Sequence, residues 1–159
     1  MQVRRTLPRL SASAFVLALF ALGPAHAQQI VLTNTRGLDF GRFVAGTGGT
    51  IVLSPTGVRS RTGGVVLLNS PTVGQASFNV GKSSNGVSSK AVVISLPSST
   101  RLTSGLASMT VNNFVSAPAA IQTVPNGGTT LAVGATLNVA QNQPPGAYSG
   151  TFSLTVNFQ

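Results

Sequence analysis

Few residues in this chain could do acid–base or nucleophilic chemistry. Among 159 residues there is one histidine, one acidic side chain (Asp39), one tyrosine and no cysteine, against ten lysines and arginines. A Ser-His-Asp triad needs a base beside its nucleophile, and a glycosidase needs two carboxylates, so neither can be assembled from Asp39 alone once His26 is set aside. A Ser–Lys pair is the remaining nucleophilic option. Lys82 beside Ser83 and Ser84, and Lys90 beside Ser88 and Ser89, are neighbours in a polar turn, and a solvated turn accounts for them. One carboxylate is also a poor metal set, so no catalytic, cofactor-binding or metal-ligating residue is expected. Gly46-Thr47-Gly48-Gly49 lacks the Lys-Ser/Thr and following helix of a phosphate cradle and reads as a connection between strands. Asp39, between Arg36 and Arg42, is expected to form a local ion pair or cap a turn.

His26 is set aside because of where it lies. Arg4, Arg5 and Arg9 precede an apolar run over residues 14–22, and Pro24 is followed by Ala25-His26-Ala27. Basic region, short apolar run and A-x-A site together make a secretory signal peptide, with cleavage expected between Ala27 and Gln28. The run is about half the ~20 residues of a membrane-spanning helix, and no transmembrane segment is expected in the mature chain. The expected organisation is residues 1–27 as signal peptide, 28–36 as an extended N-terminal segment, and 37–159 as one β-sandwich domain. Export implies the periplasm, the outer cell surface or the extracellular space. Without cysteine, the exported fold rests on core burial alone.

After cleavage the charged residues are Arg36, Arg42, Arg59, Arg61, Lys82, Lys90 and Arg101 against Asp39, a net charge of +6. Only Arg59 and Arg61 share a strand face at close spacing, which makes them the candidate polyanion contacts. No aromatic residues interleave with them as stacking platforms would, so no nucleic-acid partner is expected.

The elements that position these residues read as strands throughout. Residues 144–159, PPGAYSGTFSLTVNFQ, open on a Pro-Pro-Gly turn. Tyr148, Gly150, Phe152, Leu154, Val156 and Phe158 then alternate with small polar residues, the signature of a half-buried strand. Residues 131–139 alternate through Leu131, Val133, Ala135, Leu137 and Val139. Residues 75–82 alternate through Ala76, Phe78 and Val80, and Val92, Ile94 and Leu96 follow the Asn85-Gly86 turn signal, so these two runs are expected to form a hairpin. Residues 64–69, GVVLLN, read as a buried strand. Phe114 falls out of phase with Met109 and Val111, which places a bulge near Asn112-Asn113. No stretch of the mature chain has helical periodicity, and turn signals recur every ~8–12 residues, the pattern of an all-β sandwich or barrel.

Three segments carry a resemblance: LDFGRFVAGTGGT (38–50), LASMTVNNFVSAP (106–118), and LAVGATLNV with PPGAYSGTFSLTVNF (131–158). Together they resemble a bacterial secreted domain of unknown function, DUF4402, and by extension a Gram-negative source. More loosely the chain is similar to chaperone–usher pilin and spore-coat protein U subunits. That second likeness implies an immunoglobulin-like antiparallel β-sandwich lacking one strand, supplied first by a periplasmic chaperone and then by a neighbouring subunit. In such subunits a glycine near the fourteenth position from the end and a penultimate aromatic residue mark the last strand. Gly146 and Phe158 stand in those places, with Tyr148, Gly150, Phe152, Leu154 and Val156 between them. The chain departs from many such subunits in having no paired cysteines, and its N-terminal tail is short. In that tail Ile30 and Leu32 are the apolar knobs. They are expected either to insert into a neighbour as a donor strand or to fold back as the first strand of their own sheet. The functional expectation is a non-enzymatic, fimbria-like structural or adhesion subunit assembling with itself or related subunits by strand addition. The alternative is a self-complete monomeric module that binds acidic envelope polysaccharide.

Overall fold

A computed structural model describes residues 29–83 and 90–159. The expected signal peptide and the Asn85-Gly86 turn lie outside the described residues. Eleven strands are formed: β1 (Ile30–Arg36), β2 (Phe43–Val44), β3 (Gly49–Leu53), β4 (Arg59–Gly63), β5 (Val66–Leu67), β6 (Ala76–Lys82), β7 (Val92–Ser95), β8 (Ser99–Ser104), β9 (Ala107–Ala117), β10 (Thr129–Val139) and β11 (Thr155–Phe158). All pairings are antiparallel, and no helix occurs among the described residues. The fold is an all-β antiparallel sandwich curled towards a half-barrel.

β10 is its spine. One edge of β10 pairs with β9, while the other pairs first with β6 (residues 129–133) and then with β3 (residues 135–139). The change of partner falls at Gly134. A β-carbon there would run into the Leu53 carbonyl and the backbone of Ser54 and Pro55, so only glycine lets the two strands meet the same edge. The alternation read from the sequence holds: Leu131, Val133, Ala135, Leu137 and Val139 are buried, as are Ala76, Phe78 and Val80 on β6. Two core clusters share β10. One gathers Ile51, Leu53, Val65, Met109 and Val111 around its second half, and the other gathers Val92, Ile121 and Val124 around its first. The bulge is also present. Between the pairs Gly134↔Val115 and Thr136↔Asn112 the β9 strand holds one extra residue, and Asn113 takes φ 49°. Asparagine tolerates that left-handed backbone better than most residues, and the extra residue turns Phe114 inwards.

Two sequence expectations are corrected. β6 and β7 do not form a hairpin with each other. β6 pairs with β1 and β10, whereas β7 pairs with β11. The Asn-Gly signal reports a local turn preference, but the partner of each strand is decided by burial, and β6 and β7 place Phe78, Val80 and Val92 in one cluster. Residues 64–69 are not a buried strand either. Val65 is fully buried, but Val66 and Leu68 are exposed, because the short β2–β5 ribbon packs through one face only.

Candidate functional site

The expected N-terminal tail lies inside the fold. β1 pairs with β6 from Ile30↔Lys82 to Asn34↔Phe78, then slips one residue so that Arg36 faces Ser77. Ile30 and Leu32 pack half-buried against the core cluster of β6, so of the two placements expected for this segment the chain adopts the fold-back within its own sheet. Ile30–Arg36 form an edge strand of the domain.

The C-terminal run keeps the expected alternation. Tyr148, Phe152, Leu154, Val156 and Phe158 are half-buried and their odd-numbered neighbours exposed, while Gly150 is exposed on the inward-facing register. Only β11 at its end is laddered, against β7. Upstream, Ser149 exchanges backbone hydrogen bonds with Thr103 (3.0 and 2.8 Å), and the Thr100 hydroxyl donates to the Thr151 carbonyl at 2.6 Å. The segment thus runs along β7 and β8 by one edge. Gly146 and Gly150 sit where β-carbons would strike Ser104 and the Arg101 carbonyl respectively, which is why this approach requires glycine. The Tyr148 hydroxyl donates to the Pro144 carbonyl at 2.7 Å and accepts from Gln143 at 2.8 Å, holding the Pro-Pro-Gly loop against the strand.

Following the pairings round gives β1, β6, β10, β9, β8 and then, through the single Thr103–Ser149 bridge, the C-terminal segment, a curled half-barrel whose two ends approach each other. β1 and β11 come alongside each other, yet no ladder or bridge joins them among the described residues. Hydrogen-bond parity shows what each edge presents. In an antiparallel pair, successive residues direct their backbone groups to opposite edges. Ser83 donates to the Gln29 carbonyl at 3.0 Å, so the odd residues of β1 face β6, and Ile30, Leu32 and Asn34 turn their N–H and C=O groups outwards to the seam. Gln159 donates to the Ala91 carbonyl at 2.9 Å, and Ser149 pairs with Thr103, so the odd residues of the C-terminal segment face β7 and β8. Gly150, Phe152, Leu154, Val156 and Phe158 therefore turn theirs to the same seam. Two rows of backbone donors and acceptors confront one another over an apolar floor.

The seam widens away from the β1 start. Between Asn34 and Gly37 on one side and residues 150–152 on the other it opens into a cavity of about 390 Å³, floored by Phe78, Val111, Phe114 and Phe152. This cavity shares Leu38, Phe40 and Leu102 with a larger open cleft of about 1270 Å³, walled by residues 36–46 and 142–150. The floor is held by aromatic contacts. Phe152 meets Phe78 edge-on at 6.1 Å and Phe114 at 5.0 Å.

The charged candidates are placed differently from expectation. The Arg59 guanidinium is engaged by the main chain: its Nη1 donates to the Phe40 carbonyl (2.9 Å) and the Arg42 carbonyl (3.3 Å), and its Nη2 to the Leu68 carbonyl (2.7 Å). Three main-chain acceptors consume its fork, and the Arg42 carbonyl among them also accepts from the Leu68 N–H at 3.0 Å. Arg61 stays exposed and alone on that face, bonded to the Gly63 carbonyl. Asp39 caps a turn through Gly41 N–H at 2.7 Å, while Arg36 donates to the carbonyls of Thr72 and Val73. Lys82 Nζ is buried with no hydrogen-bond partner among the described residues, and the Ser83 hydroxyl is engaged by the Gln29 N–H. Among the described residues no group of three or more His, Cys, Asp or Glu gathers, and no helix is long and apolar enough to cross a membrane. The Gly46-Thr47-Gly48-Gly49 stretch is a tight turn whose glycines let it lie on the Thr62-Gly63-Gly64 backbone.

A family model described as a domain of unknown function (DUF4402) matches residues 30–158. The chain belongs to the DUF4402 family. The match spans every strand from β1 to β11, so β1 is an integral part of the DUF4402 domain. No curated protein and no solved structure matches the chain significantly.

Proposed function

We propose that this DUF4402 protein is an exported, non-enzymatic structural subunit of the cell surface that assembles by β-strand addition. The observation that carries the reading is the open seam between β1 and the C-terminal segment, where both edges present backbone groups without a ladder partner among the described residues, above half-buried Phe152, Leu154 and Val156. An exposed strand edge is a template for another strand: main-chain hydrogen bonds give affinity, and alternate side chains entering the floor give register. Natural folds blunt such edges with charge or proline, and residues 150–158 carry neither. The apolar run and A-x-A site before Gln28 support export. The polysaccharide-binding alternative is weakened because Arg59 is occupied by carbonyls, leaving Arg61 without its partner.

Amide exchange on the protein expressed with its leader tests the reading. In the isolated chain the N–H groups of Gly150, Phe152 and Leu154 exchange fast, and in the assembled form they become protected. A protein that stays monomeric at all concentrations, with those amides already protected, refutes strand addition. An N-terminal mass that retains residues 1–27 refutes export by this route.

A further inference from the structure

We infer that the cavity beside Phe152 holds the tail of a single-chain anionic amphiphile, a medium-chain fatty acid by chemistry, whose head lies in the adjoining cleft beside Arg42 and Arg36. The site is complete within one chain, so nothing in it depends on strand addition.

The cavity is too large to be a packing fault. Protein interiors pack with few voids bigger than a water, whereas this one measures about 390 Å³. Apolar cavities of about 150 Å³ already take a benzene-sized guest. The wall is drawn from both core clusters: Phe40 and Val111 come from one and Phe78 from the other, with Phe114 and Phe152 closing the space between them. Phe40 and Phe78 keep 6% and 8% of their surface accessible, the most of any buried hydrophobic side chain among the described residues, and both border this space. Polar groups at the mouth are already committed to one another. The Thr100 hydroxyl donates to the Thr151 carbonyl at 2.6 Å, and the Asn34 amide nitrogen donates to the Arg36 carbonyl at 3.2 Å. A sugar would give up its water here without replacement hydrogen bonds, whereas an apolar chain gives up nothing. Size sets the length of that chain. At about 30 Å³ for each water-sized group, the space takes roughly a dozen carbons, which is one acyl chain and not the pair of a diacyl lipid.

Charge places the head. Gly37, Leu38 and Gly150 border both the cavity and the larger cleft, so a chain lying in the first leads into the second. Arg36, Asp39 and Arg42 line that cleft, and no ion pair joins them among the described residues. Asp39 Oδ1 instead accepts the Gly41 N–H at 2.7 Å, and Arg36 is clamped to the Thr72 and Val73 carbonyls through Nη2 alone. The Arg42 guanidinium is exposed and makes no hydrogen bond among the described residues. Asp39 is the chain's single acidic side chain, so Arg42 has no other acidic side chain to pair with. Two cations against one carboxylate leave the cleft with one positive charge in excess. A monoanion such as a carboxylate matches that excess, and a guanidinium is the fork that receives it.

Calorimetry of the protein expressed with its leader, titrated with sodium alkanoates below their micelle concentrations, tests the inference. One-to-one binding is expected, tightening about fourfold for each methylene from octanoate to dodecanoate and levelling off beyond tetradecanoate, when the cavity is full. Arg42→Gln, at an exposed position, should weaken decanoate about two- to fivefold and leave uncharged decanol unchanged. Leu102→Trp fills the wall shared with the cleft, and should weaken dodecanoate by about tenfold or more, the loss of roughly two methylenes' space. Affinity that keeps rising past hexadecanoate, or that a folded Leu102→Trp protein leaves intact, puts the chain on an open surface and overturns the inference. Decanol that binds the parent as tightly as decanoate takes the head away from Arg42 and overturns it too. So does sedimentation with phosphatidylglycerol vesicles that dodecanoate does not displace. A protein that binds no alkanoate refutes the inference and leaves strand addition standing, since that reading is decided by assembly and amide exchange.

Discussion

Phe152 is where side-chain packing alone holds the C-terminal segment. Thr151 is tied by one hydroxyl to β8, and residues 151–154 are in no ladder, so the ring must anchor the segment through Phe78 and Phe114. Truncating a fully buried phenylalanine to alanine costs about 3–5 kcal/mol. Phe152 is half-buried, which brings the transfer part to roughly half that, and two ring contacts add about 0.5–1.5 kcal/mol each, partly counted already. Phe152→Ala is therefore expected to destabilise by about 2–3 kcal/mol. Against a typical domain stability of about 5–15 kcal/mol the variant stays folded. Its Tm should fall by about 6–15 °C, scaling between the small- and large-domain shifts per kcal/mol. Urea unfolding is the primary assay, with the midpoint falling and the slope unchanged. Ser153→Ala, exposed beside it, should stay within about 0.5 kcal/mol of the parent. A loss below about 0.5 kcal/mol for Phe152→Ala would place the ring in solvent and remove the floor of the seam. Phe152→Asp carries the same logic further: a charge on that floor should prevent folding, and a soluble, cooperatively unfolding Phe152→Asp protein would put the apolar face of the segment on the wrong side.

Arg59→Met keeps most of the stem but takes the guanidinium from the Phe40 and Leu68 carbonyls, while the Arg42 carbonyl keeps the Leu68 N–H, and should lower stability by about 1–3 kcal/mol in chemical denaturation, since hydrogen bonds to charged groups are worth about 1.5–3 kcal/mol each before solvent discounts them. An unchanged midpoint would mean that water replaces the guanidinium without cost. Gly134→Ala forces a β-carbon into the Leu53 carbonyl at the spine, and should cost about 3 kcal/mol or more, seen as insoluble expression or a steep fall in Tm. Lys82→Met removes a buried ammonium with no partner among the described residues and should raise the urea midpoint, by an amount corresponding to about 1–3 kcal/mol, whereas a fall would show that Nζ has a partner in solution.

What could be read from the sequence was what depends on single strands. Leu131 to Val139 and Ala76 to Val80 alternate because one face meets a core, and that periodicity survives whichever strands become neighbours. The bulge at Asn113 was legible for the same reason, as Phe114 breaks the phase set by Met109 and Val111. Pairing was not legible. Asn85-Gly86 favours a tight turn but cannot say which strand β7 pairs with, and β7 pairs with β11 while adding Val92 to the cluster that holds Val80. Arg59 gave no signal at all, because its acceptors are main-chain carbonyls, which every residue has. Of the candidate site, the alternating floor from Tyr148 to Phe158 was visible, and the role of its edge was not.

That last gap has a physical cause that also explains why the seam exists. A barrel closes when its first and last strands meet in register, and here each is fastened elsewhere before it can do so. Ser149 and Thr103 fix the C-terminal segment to β8, and the segment runs on to β7 with a two-residue change of register around Leu96 and Pro97. Asp39, Gly74 and the Arg36 clamp fix the end of β1 on the opposite side. Both restraints act at the same end of the seam, where it opens into the cavity beside Phe152, while the far end, with Ile30 and Phe158, stays close. Loosening one clamp should therefore let the chain close on itself. Arg36→Ala removes two charge-assisted hydrogen bonds from an exposed position, so its cost to folding should be small. Its effect on the seam should be larger: the Gly150 and Phe152 amides become protected within the monomer, and assembly is lost. If Arg36→Ala assembles as the parent does, with those amides still exchanging freely, the tether is not what holds the barrel open.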